Sequence, residues 1–162
     1  MQQKEEFAES KPKQTRISKR AISAPQALNE AYHYEKPVPF SRGMRVDMPG
    51  FTWLSISGTA SVGDHGESLH IGDFDAQTWR TFKNIKDLLE IEGGSWKDVI
   101  HTRCYLRDIE RDYEAFNRIR KAFYDQEGLD PYPASVGIQA ILCRPELLIE
   151  ISAIAIIPNE TE

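Results

Sequence analysis

Cysteine is scarce in this chain, and long apolar runs are absent from it. The sequence holds only Cys104 and Cys143, enough for one bridge but not for a disulfide framework. No secretory signal accompanies them, so we expect two free thiols. No run approaches the roughly 18 apolar residues that a membrane-spanning helix needs, and the N-terminus shows no apolar signal region. We therefore expect a cytoplasmic protein with no membrane partner.

Positive charge is also in deficit. The chain has 20 Lys+Arg against 25 Asp+Glu, which gives a formal net charge of −5. Nucleic-acid binding needs a positive path along the phosphate backbone, so this balance disfavours nucleic acid as a partner. At 162 residues and 40% hydrophobic content, the chain is long enough for one ordinary core and too short for two comfortable domains. A small organic substrate or a protein partner fits these bounds better.

The first 30 residues differ in composition from the rest. They are polar, carry charges of both signs and lack a sustained apolar period, so we predict a flexible N-terminal arm over 1–30. Residues 31–162 are predicted to form a single domain. The local positive excess of the arm leaves two interpretations, a solvated tail or a segment that touches RNA or an acidic partner. The solvated tail is the simpler one, and on it deletion of the arm should leave activity intact.

The domain is predicted to begin with two strands. Strand composition at 44–47 and 51–57, separated by the turn residues Pro49-Gly50, predicts a hairpin. Gly58 follows directly and is predicted to open a glycine-bearing loop that extends to Gly72. This loop is either a place where backbone amides approach a ligand closely or an ordinary connection between strand and helix.

Two helices and three further strands follow. The first helix is predicted to begin at Asp73 or Asp75 and to end at Gly93-Gly94, and the second to run from about Asp108 or Asp112 to Gly128. Spacing of three and four residues predicts the inward apolar positions as Trp79, Phe82, Ile85, Leu88 and Leu89 in the first helix, with Ile91 as a further candidate, and Tyr113, Phe116, Ile119, Ala122 and Phe123 in the second. Strand composition returns at 99–106, 134–142 and 147–157.

This order of elements predicts an α+β fold. It indicates a mixed β-sheet with both helices packed on one face. The other face is left uncovered although its strands are rich in apolar residues. We expect that face to be buried against other subunits, most simply in a closed cyclic oligomer.

A thiol, a guanidinium and a carboxylate interrupt the last strand region. Cys143 and Arg144 precede it, and Glu150 lies among β-branched apolar residues typical of a strand that is covered on both faces. Removing an unpaired charge from water costs on the order of several kcal/mol, so Glu150 must be paired, protonated or facing a polar cavity. Apolar neighbours should raise its pKa towards neutrality unless Arg144 restores the charged form, which suits a catalytic acid.

Five short motifs follow one another in order along the chain, namely Ser57-Gly58, Tyr105-Leu106-Arg107-Asp108, Phe116-Asn117, Pro133-Ala134 and the run from Ile149 to Ala155. Through the order and spacing of these motifs, about residues 37–158 resemble the YjgF or reactive-intermediate-deaminase (RidA) family. The resemblance implies a chorismate-mutase-like fold and a homotrimer with small-molecule sites in the clefts between subunits. It also implies cofactor-free hydrolysis of enamine or imine intermediates such as 2-aminoacrylate.

The resemblance also implies where a substrate carboxylate would bind, and here the chain departs from the pattern. The best-known members hold that group with an arginine directly after the Pro-Ala pair, a position occupied here by Ser135. Arg144 is the natural substitute, because a planar guanidinium can bind a carboxylate through two hydrogen bonds. Backbone N–H groups around Gly58, from Ser57 to Thr59, would hold an oxygen.

Each candidate residue has a structural alternative. Glu150 is either the proton-handling group or one half of a buried ion pair, and Arg144 either binds the ligand or fixes its own loop. Cys143 is either a nucleophile or proton relay or an apolar filler. Phe40, which stands where the deaminases often have tyrosine, lines the cleft or belongs to the core. Asn117 reaches a neighbouring subunit's site or is exposed to solvent.

The particular residues of several motifs support a second resemblance. The stretches Ser57–Ser61, His70–Asp73, Gln77 and Cys143–Glu150 are similar to the family-related C-terminal half of chorismatases, which cleave the enolpyruvyl group from chorismate. Residues matching Cys143, Arg144 and Glu150 belong to the site of those enzymes. They also carry an additional N-terminal domain, for which this chain has no room.

These observations lead to one principal hypothesis and two alternatives. The principal one is a hydrolase, of the enamine or imine deaminase type, acting on a small carboxylated metabolite without a cofactor. The alternatives are a chorismatase-like enolpyruvyl hydrolase and a non-catalytic trimer that binds a metabolite. His65 and His70 lack a convincing three-ligand spacing, so we expect no metal. Some relatives carry a ribonuclease label, which the acidic charge balance argues against.

Overall fold

The computed structural model describes residues 17–159, which form a sheet with two helices packed on one of its faces. The strands and helices, in chain order, are β1 (Ser18–Ala21), β2 (Gly43–Met48), β3 (Phe51–Ala60), α1 (Phe74–Ile91), β4 (Val99–Leu106), α2 (Ile109–Gln126), β5 (Ala134–Gln139) and β6 (Ile149–Pro158). Single 3-10 turns lie at Ala31–His33 and Trp96–Asp98.

The six strands form one sheet in the order β1-β2-β3-β6-β4-β5. Only the pair β4–β5, which α2 connects, is parallel, and the other four pairs are antiparallel. The sheet is therefore mixed, which confirms the predicted fold class. Since β6 is inserted between β3 and β4, the last strand of the chain occupies the middle of the sheet.

Aspartates begin both helices, and glycines follow their ends. Asp73 accepts a hydrogen bond from the Ala76 amide (2.9 Å), and Asp108 accepts one from the Arg111 amide (3.1 Å). Gly93 and Gly128 adopt positive φ values of 80° and 67°, the conformation that ends a helix.

Most of the predicted inward positions of the helices are buried, and four are not. Phe82, Ile85, Leu88, Leu89, Phe116, Ile119 and Phe123 belong to the main core. Trp79, Ile91 and Tyr113 are 38%, 45% and 49% exposed, and Ala122 is exposed as well, so their predicted inward placement is wrong. The stripe that contacts the sheet is narrower than the full set of apolar residues on each helix.

Residues alternate strictly across β6. Ile149, Ile151, Ala153 and Ala155 are buried on the helix side of the sheet, whereas Glu150, Ser152, Ile154 and Ile156 are only partly covered on the other side. On the edge strand β5, Val136 and Ile138 are 40% and 44% exposed. We call the side of the sheet away from the helices the open face, and it combines Glu150 with exposed apolar side chains.

The N-terminal boundary of the folded part lies earlier than predicted. β1 pairs with β2, and the Arg20 guanidinium bonds to the Glu92 carboxylate at 2.6 Å. Ile22 and Leu28 are fully buried in the main core. The prediction of an arm through residue 30 is therefore wrong for 18–30, because β1 is an edge strand held by backbone pairing rather than by an apolar period. The remainder of the predicted arm, residues 1–16, lies outside the described residues.

Strand β3 also extends further than predicted. Gly58 was expected to start a loop, yet β3 continues to Ala60, with a register shift against β6 between Ile56 and Thr59. Such irregularities turn side chains at the edge of a site. No helix within residues 17–159 is long and apolar enough to cross a membrane.

Candidate active site

A cavity of about 830 Å³ lies where β3 ends and β6 begins. Its walls come from 34–42, from the end of β3, from 62–68 and from the 143–147 loop. Five residues predicted for the site line it, namely Phe40, Gly58, Cys143, Arg144 and Glu150. The fold thus brings together positions that are up to 110 residues apart in the chain.

Glu150 is the carboxylate at the inner end of this cavity. It is paired with Ala60 in β3 and with Tyr105 in β4, at the start of the central strand. A Cβ atom on Gly58 would lie 2.1 Å from Glu150 Oε1, so the carboxylate rests directly against the Gly58 backbone. Burial raises the pKa of Glu150 above its ordinary value, since it disfavours the charged form.

The ion-pair alternative for Glu150 finds no support in residues 17–159. The nine ion pairs of this range do not include Glu150. The Glu150 carboxylate is therefore desolvated without a cation that compensates it in the described part of the chain. This is the environment that keeps a carboxylic acid protonated closer to neutral pH.

Arg144 both fixes its loop and lines the cavity. Its Nη1 donates to the Gly66 carbonyl (2.6 Å) and to Ser68 Oγ (3.1 Å). The Nε and Nη2 atoms donate to no group within residues 17–159. The two alternatives considered for Arg144 are thus compatible, because one nitrogen holds the loop and two remain for a ligand.

Two polar side chains fix the 143–147 loop through hydrogen bonds to its backbone. Arg107 donates to the carbonyls of Leu147 and Arg144, both at 2.6 Å. Gln77, fully buried in α1, donates to the Glu146 carbonyl (2.9 Å) and accepts from the Leu148 amide (2.8 Å). A loop fixed at four backbone groups can hold Arg144 in one position.

Glu146 lies at the rim of the cavity with a different environment from Glu150. Ser68 Oγ donates to its carboxylate at 2.7 Å, and this hydrogen bond is the main reason that the pKa of Glu146 lies below its ordinary value. The cavity therefore contains one carboxyl group whose pKa is raised and one whose pKa is lowered. Of these two carboxyl groups, Glu150 is the one suited to give a proton.

The two cysteines are both free, as predicted, but their surroundings differ. Cys104 is 1% exposed in the core, and burial raises the pKa of its thiol. Cys143 is exposed and lines the cavity. The role of Cys143 as nucleophile, relay or filler stays a prediction.

Ser57 and Thr59 flank Gly58 without lining the cavity. The Ser57 hydroxyl donates to the Ser41 carbonyl (2.8 Å), and the Thr59 hydroxyl donates to the Ser57 carbonyl (2.9 Å). Both hydroxyls are therefore used in holding the bent end of β3. The Ser57 amide donates to the Arg42 carbonyl (3.0 Å), so the predicted binding role of this segment rests on its other backbone amides.

Ser135 and Asn117 do not line the cavity of the single chain. Both accept hydrogen bonds from the Arg120 guanidinium, which reaches Ser135 Oγ at 3.1 Å and also bonds to Asn117 Oδ1. Arg120 lies over the Phe116 ring, 4.8 Å from its centroid. The predicted contacts of Ser135 and Asn117 with a substrate require a second subunit and stay predictions.

Tyr34 and Arg42 are among the cavity residues that sequence reasoning missed. Arg42 is 4% exposed, donates to the Asn29 carbonyl and to the Tyr34 hydroxyl, and lies over both the Tyr34 and Phe40 rings. The sequence did contain a sign that Arg42 belongs to the cavity. Residues two apart in an extended segment share a side, and Phe40 was already a candidate for the cavity lining. Nothing comparable marked Tyr34, whose segment was assigned no element.

A metal centre is not built from the described residues. Within 17–159, no three histidine, cysteine, aspartate or glutamate side chains lie close enough to hold a metal ion. What the cavity offers is a carboxyl group of raised pKa and two guanidinium groups, those of Arg42 and Arg144. Such a set can transfer protons and bind an anion.

Comparison with known proteins agrees with this fold. A deaminase of Acinetobacter baylyi, 3-aminoacrylate deaminase RutC, is 35% identical over 100 residues, which is 62% of this chain and 75% of the relative. The structure of Escherichia coli TdcF with bound serine superposes with a TM-score of 0.68 at 23% identity, covering 86% of this chain and 99% of TdcF. The structure of the Escherichia coli YjgF gene product superposes with a TM-score of 0.66 at 25% identity, covering 84% of this chain and 97% of the YjgF chain.

The match to a protein family extends over most of the domain. Residues 34–157 match the family described as Endoribonuclease L-PSP, and this range contains both helices, five of the six strands and the whole cavity lining. The chain therefore belongs to the Endoribonuclease L-PSP family, which is the YjgF/RidA family.

Proposed function

We propose that this protein is a cofactor-free hydrolase that deaminates a small enamine or imine bearing a carboxylate. A deaminase-type activity is supported at the level of the family, whose members include a relative named as a 3-aminoacrylate deaminase. The observation that carries the proposal is Glu150, a desolvated carboxyl group at the inner end of a cavity that Arg144 also lines.

In this proposal Glu150 first acts as an acid. The protonated carboxyl gives its proton to the β-carbon of the enamine, whose C=C electron pair forms the new C–H bond. The nitrogen lone pair then makes the C=N bond of an iminium ion. A carboxyl group of raised pKa is suited to this step, because burial keeps it protonated to a higher pH than an ordinary glutamate.

Glu150 then acts as a base. Water adds to the iminium carbon, and the Glu150 carboxylate takes the proton that the water loses. The resulting carbinolamine transfers its hydroxyl proton to nitrogen, the C–N bond breaks, and ammonia leaves together with a 2-keto acid. Glu150 ends protonated and is ready for the next substrate.

Arg144 is assigned to the substrate carboxylate. Its Nε and Nη2 atoms have no partner within 17–159, and its loop is fixed by Arg107 and Gln77. Backbone amides near Gly58 are the second set of donors. Because the substrate is anchored through its carboxylate, its reacting carbon can be held near Glu150.

The site is proposed to be completed by a second subunit of a homotrimer. The open face carries exposed apolar side chains, among them Val136 and Ile138. Burial of such a face is the usual reason for a closed oligomer. In that assembly the Ser135–Asn117–Arg120 cluster of one subunit is expected to approach the cavity of its neighbour.

A chorismatase-like enolpyruvyl hydrolase is the second candidate. The observation that favours it is the cavity volume of about 830 Å³, which is ample for a ring-sized ligand. Glu150 would have the same role as an acid in this reaction, since an enol ether also needs a proton at an electron-rich carbon. The two candidates therefore differ in substrate rather than in the acid group.

The test generates the short-lived enamine in place. An amino-acid dehydratase produces 2-aminoacrylate or its four-carbon homologue in the cuvette, and release of 2-keto acid is followed with and without the protein. Chorismate is incubated in parallel, and its products are separated by chromatography. Accelerated keto-acid release supports the deaminase, and loss of chorismate supports the second candidate. Unchanged rates with both, alongside tight binding, would leave only the metabolite-binding trimer.

A further inference from the structure

Tyr34 occupies a tightly defined position in the cavity wall. A Cβ atom on Gly66 would lie 2.4 Å from the Tyr34 ring, so the ring packs directly on the glycine backbone. The guanidinium carbons of Arg42 and Arg144 lie 5.2 Å and 5.5 Å from the ring centroid. Such cation–ring contacts fix the ring relative to both arginines.

The hydrogen of the Tyr34 hydroxyl is left without an acceptor. Arg42 Nη2 bonds to the Tyr34 oxygen, and a guanidinium can only donate, so the phenol oxygen is the acceptor in this bond. Within residues 17–159, no group accepts a hydrogen bond from the Tyr34 hydroxyl. The bond from Arg42 therefore fixes the orientation of the phenol, and the hydroxyl hydrogen of Tyr34 remains available to a ligand in the cavity.

Arg42 and Arg144 also differ from the four arginines within residues 17–159 that pair with a carboxylate, which are Arg20, Arg45, Arg111 and Arg118. Neither Arg42 nor Arg144 does so within 17–159, although Arg42 is 4% exposed and bonds to the uncharged Asn29 carbonyl instead. A buried guanidinium without a carboxylate is incompletely compensated, and an anion beside it restores the balance.

We propose that Tyr34 is a substrate-binding residue and that it receives the substrate carboxylate together with Arg144. One carboxylate oxygen accepts the Tyr34 hydroxyl hydrogen, and the other accepts a hydrogen from Nε or Nη2 of Arg144. Arg42 is the positioning residue, because it acts on the substrate through the Tyr34 oxygen. The assignment rests on the proposed function for its choice of a carboxylated ligand, and it concerns binding rather than the proton transfer.

The test uses Tyr34→Phe, which removes the hydroxyl and keeps the ring. Binding of pyruvate and of 2-oxobutyrate, the stable products of the proposed reaction, is measured by calorimetry on the intact oligomer. A hydrogen bond to a charged group is expected to be worth roughly 10- to 100-fold in affinity, and the variant should lose that much. Tyr32→Phe is the matched control, because Tyr32 is two residues away, 46% exposed and outside the cavity lining.

The same measurement separates positioning by Arg42 from a purely structural role. Arg42→Lys should weaken pyruvate binding in the wild-type background and have little further effect in the Tyr34→Phe background. A structural role would instead lower the melting temperature and the affinity equally in both backgrounds.

Two outcomes would overturn the assignment. One is wild-type affinity in Tyr34→Phe, and the other is failure of the wild-type protein to bind either keto acid. These outcomes are distinct from failure of the proposed reaction. Absence of enamine hydrolysis with Tyr34-dependent keto-acid binding would reject the activity and retain the binding residue.

Discussion

Gly58 and Glu150 are so close that a Cβ atom at position 58 would lie 2.1 Å from Glu150 Oε1 and 2.8 Å from its Cδ. The register shift of β3 against β6 brings these two residues together. The position of the proposed acid therefore depends on the absence of a side chain at residue 58.

Replacement of Gly58 by alanine should reduce turnover. The added methyl group must push the Glu150 carboxylate out of its place, and a displacement of about 1 Å at a reacting group can cost roughly 100-fold in rate. The measurement is kcat for keto-acid release, with the melting temperature recorded for each variant. Gly137→Ala is the matched control, because a Cβ there meets its nearest atom, in Tyr113, at an ordinary 3.7 Å. Equal rates in the two variants would contradict this account of Gly58.

The raised pKa of Glu150 has a consequence for stability. A folded-state pKa above the unfolded value means that the folded protein binds this proton more tightly, so the contribution of Glu150 to stability is most favourable at low pH and falls as pH rises through the folded pKa. Glu150→Gln removes this titration. The melting temperature of the variant should exceed that of wild type at about pH 8, and the difference should shrink towards about pH 4.

The control for this titration is Glu114→Gln on the exposed surface of α2. Thermal melts across the pH range should show no comparable trend for that variant. A difference between wild type and Glu150→Gln that is constant with pH would show that the Glu150 carboxyl is not desolvated in the folded protein.

Truncation tests the corrected N-terminal boundary. Deletion of residues 1–30 removes β1 together with Ile22 and Leu28, which are fully buried. Loss of each large core side chain costs about 2–5 kcal/mol, a large part of the total stability of an ordinary domain. We expect this truncation to be unfolded by circular dichroism. Deletion of residues 1–16 is the comparison and should leave activity intact, and a folded, active 31–162 fragment would contradict the boundary.

The proposed homotrimer can be tested by mass in solution. Light scattering on the eluted peak should give three times the chain mass of 18.5 kDa. Ile138→Glu places a charge on the open face, where Ile138 is 44% exposed, and should shift the mass to that of a single chain. Ile71→Glu, at a position that is 70% exposed before α1, should leave the mass unchanged. If the wild-type protein has the mass of a single chain, the proposal of a site shared between two subunits is contradicted.

Much of the framework follows from local sequence signals. The aspartates at 73 and 108 and the glycines that follow each helix predicted the helices, and the β-branched run after Ile149 predicted the central strand. Glu150 was recognisable for the same reason, because a carboxylate in an apolar strand is costly unless it is paired, protonated or facing a polar cavity. Signals of this kind depend on neighbouring residues and need no knowledge of the fold.

The parts that sequence did not predict depend on distant contacts. β1 has no apolar period and forms because its backbone pairs with β2, and the extension of β3 past Gly58 depends on its register against β6. Tyr34 is placed in the cavity by packing on Gly66 and by its bond to Arg42. A single sequence contains no direct sign of such pairings.

Keto-acid release by Glu150→Gln under single-turnover conditions tests the central claim most directly. Glutamine keeps the size of the side chain and cannot give or take the proton, so the chemical step should slow by about 100-fold or more. Pyruvate binding should be largely retained, because the proposed anion contacts belong to Tyr34 and Arg144. A variant that converts the enamine at the wild-type rate, on a substrate that the wild-type protein demonstrably hydrolyses, would contradict the assignment of Glu150 as the proton-transferring group.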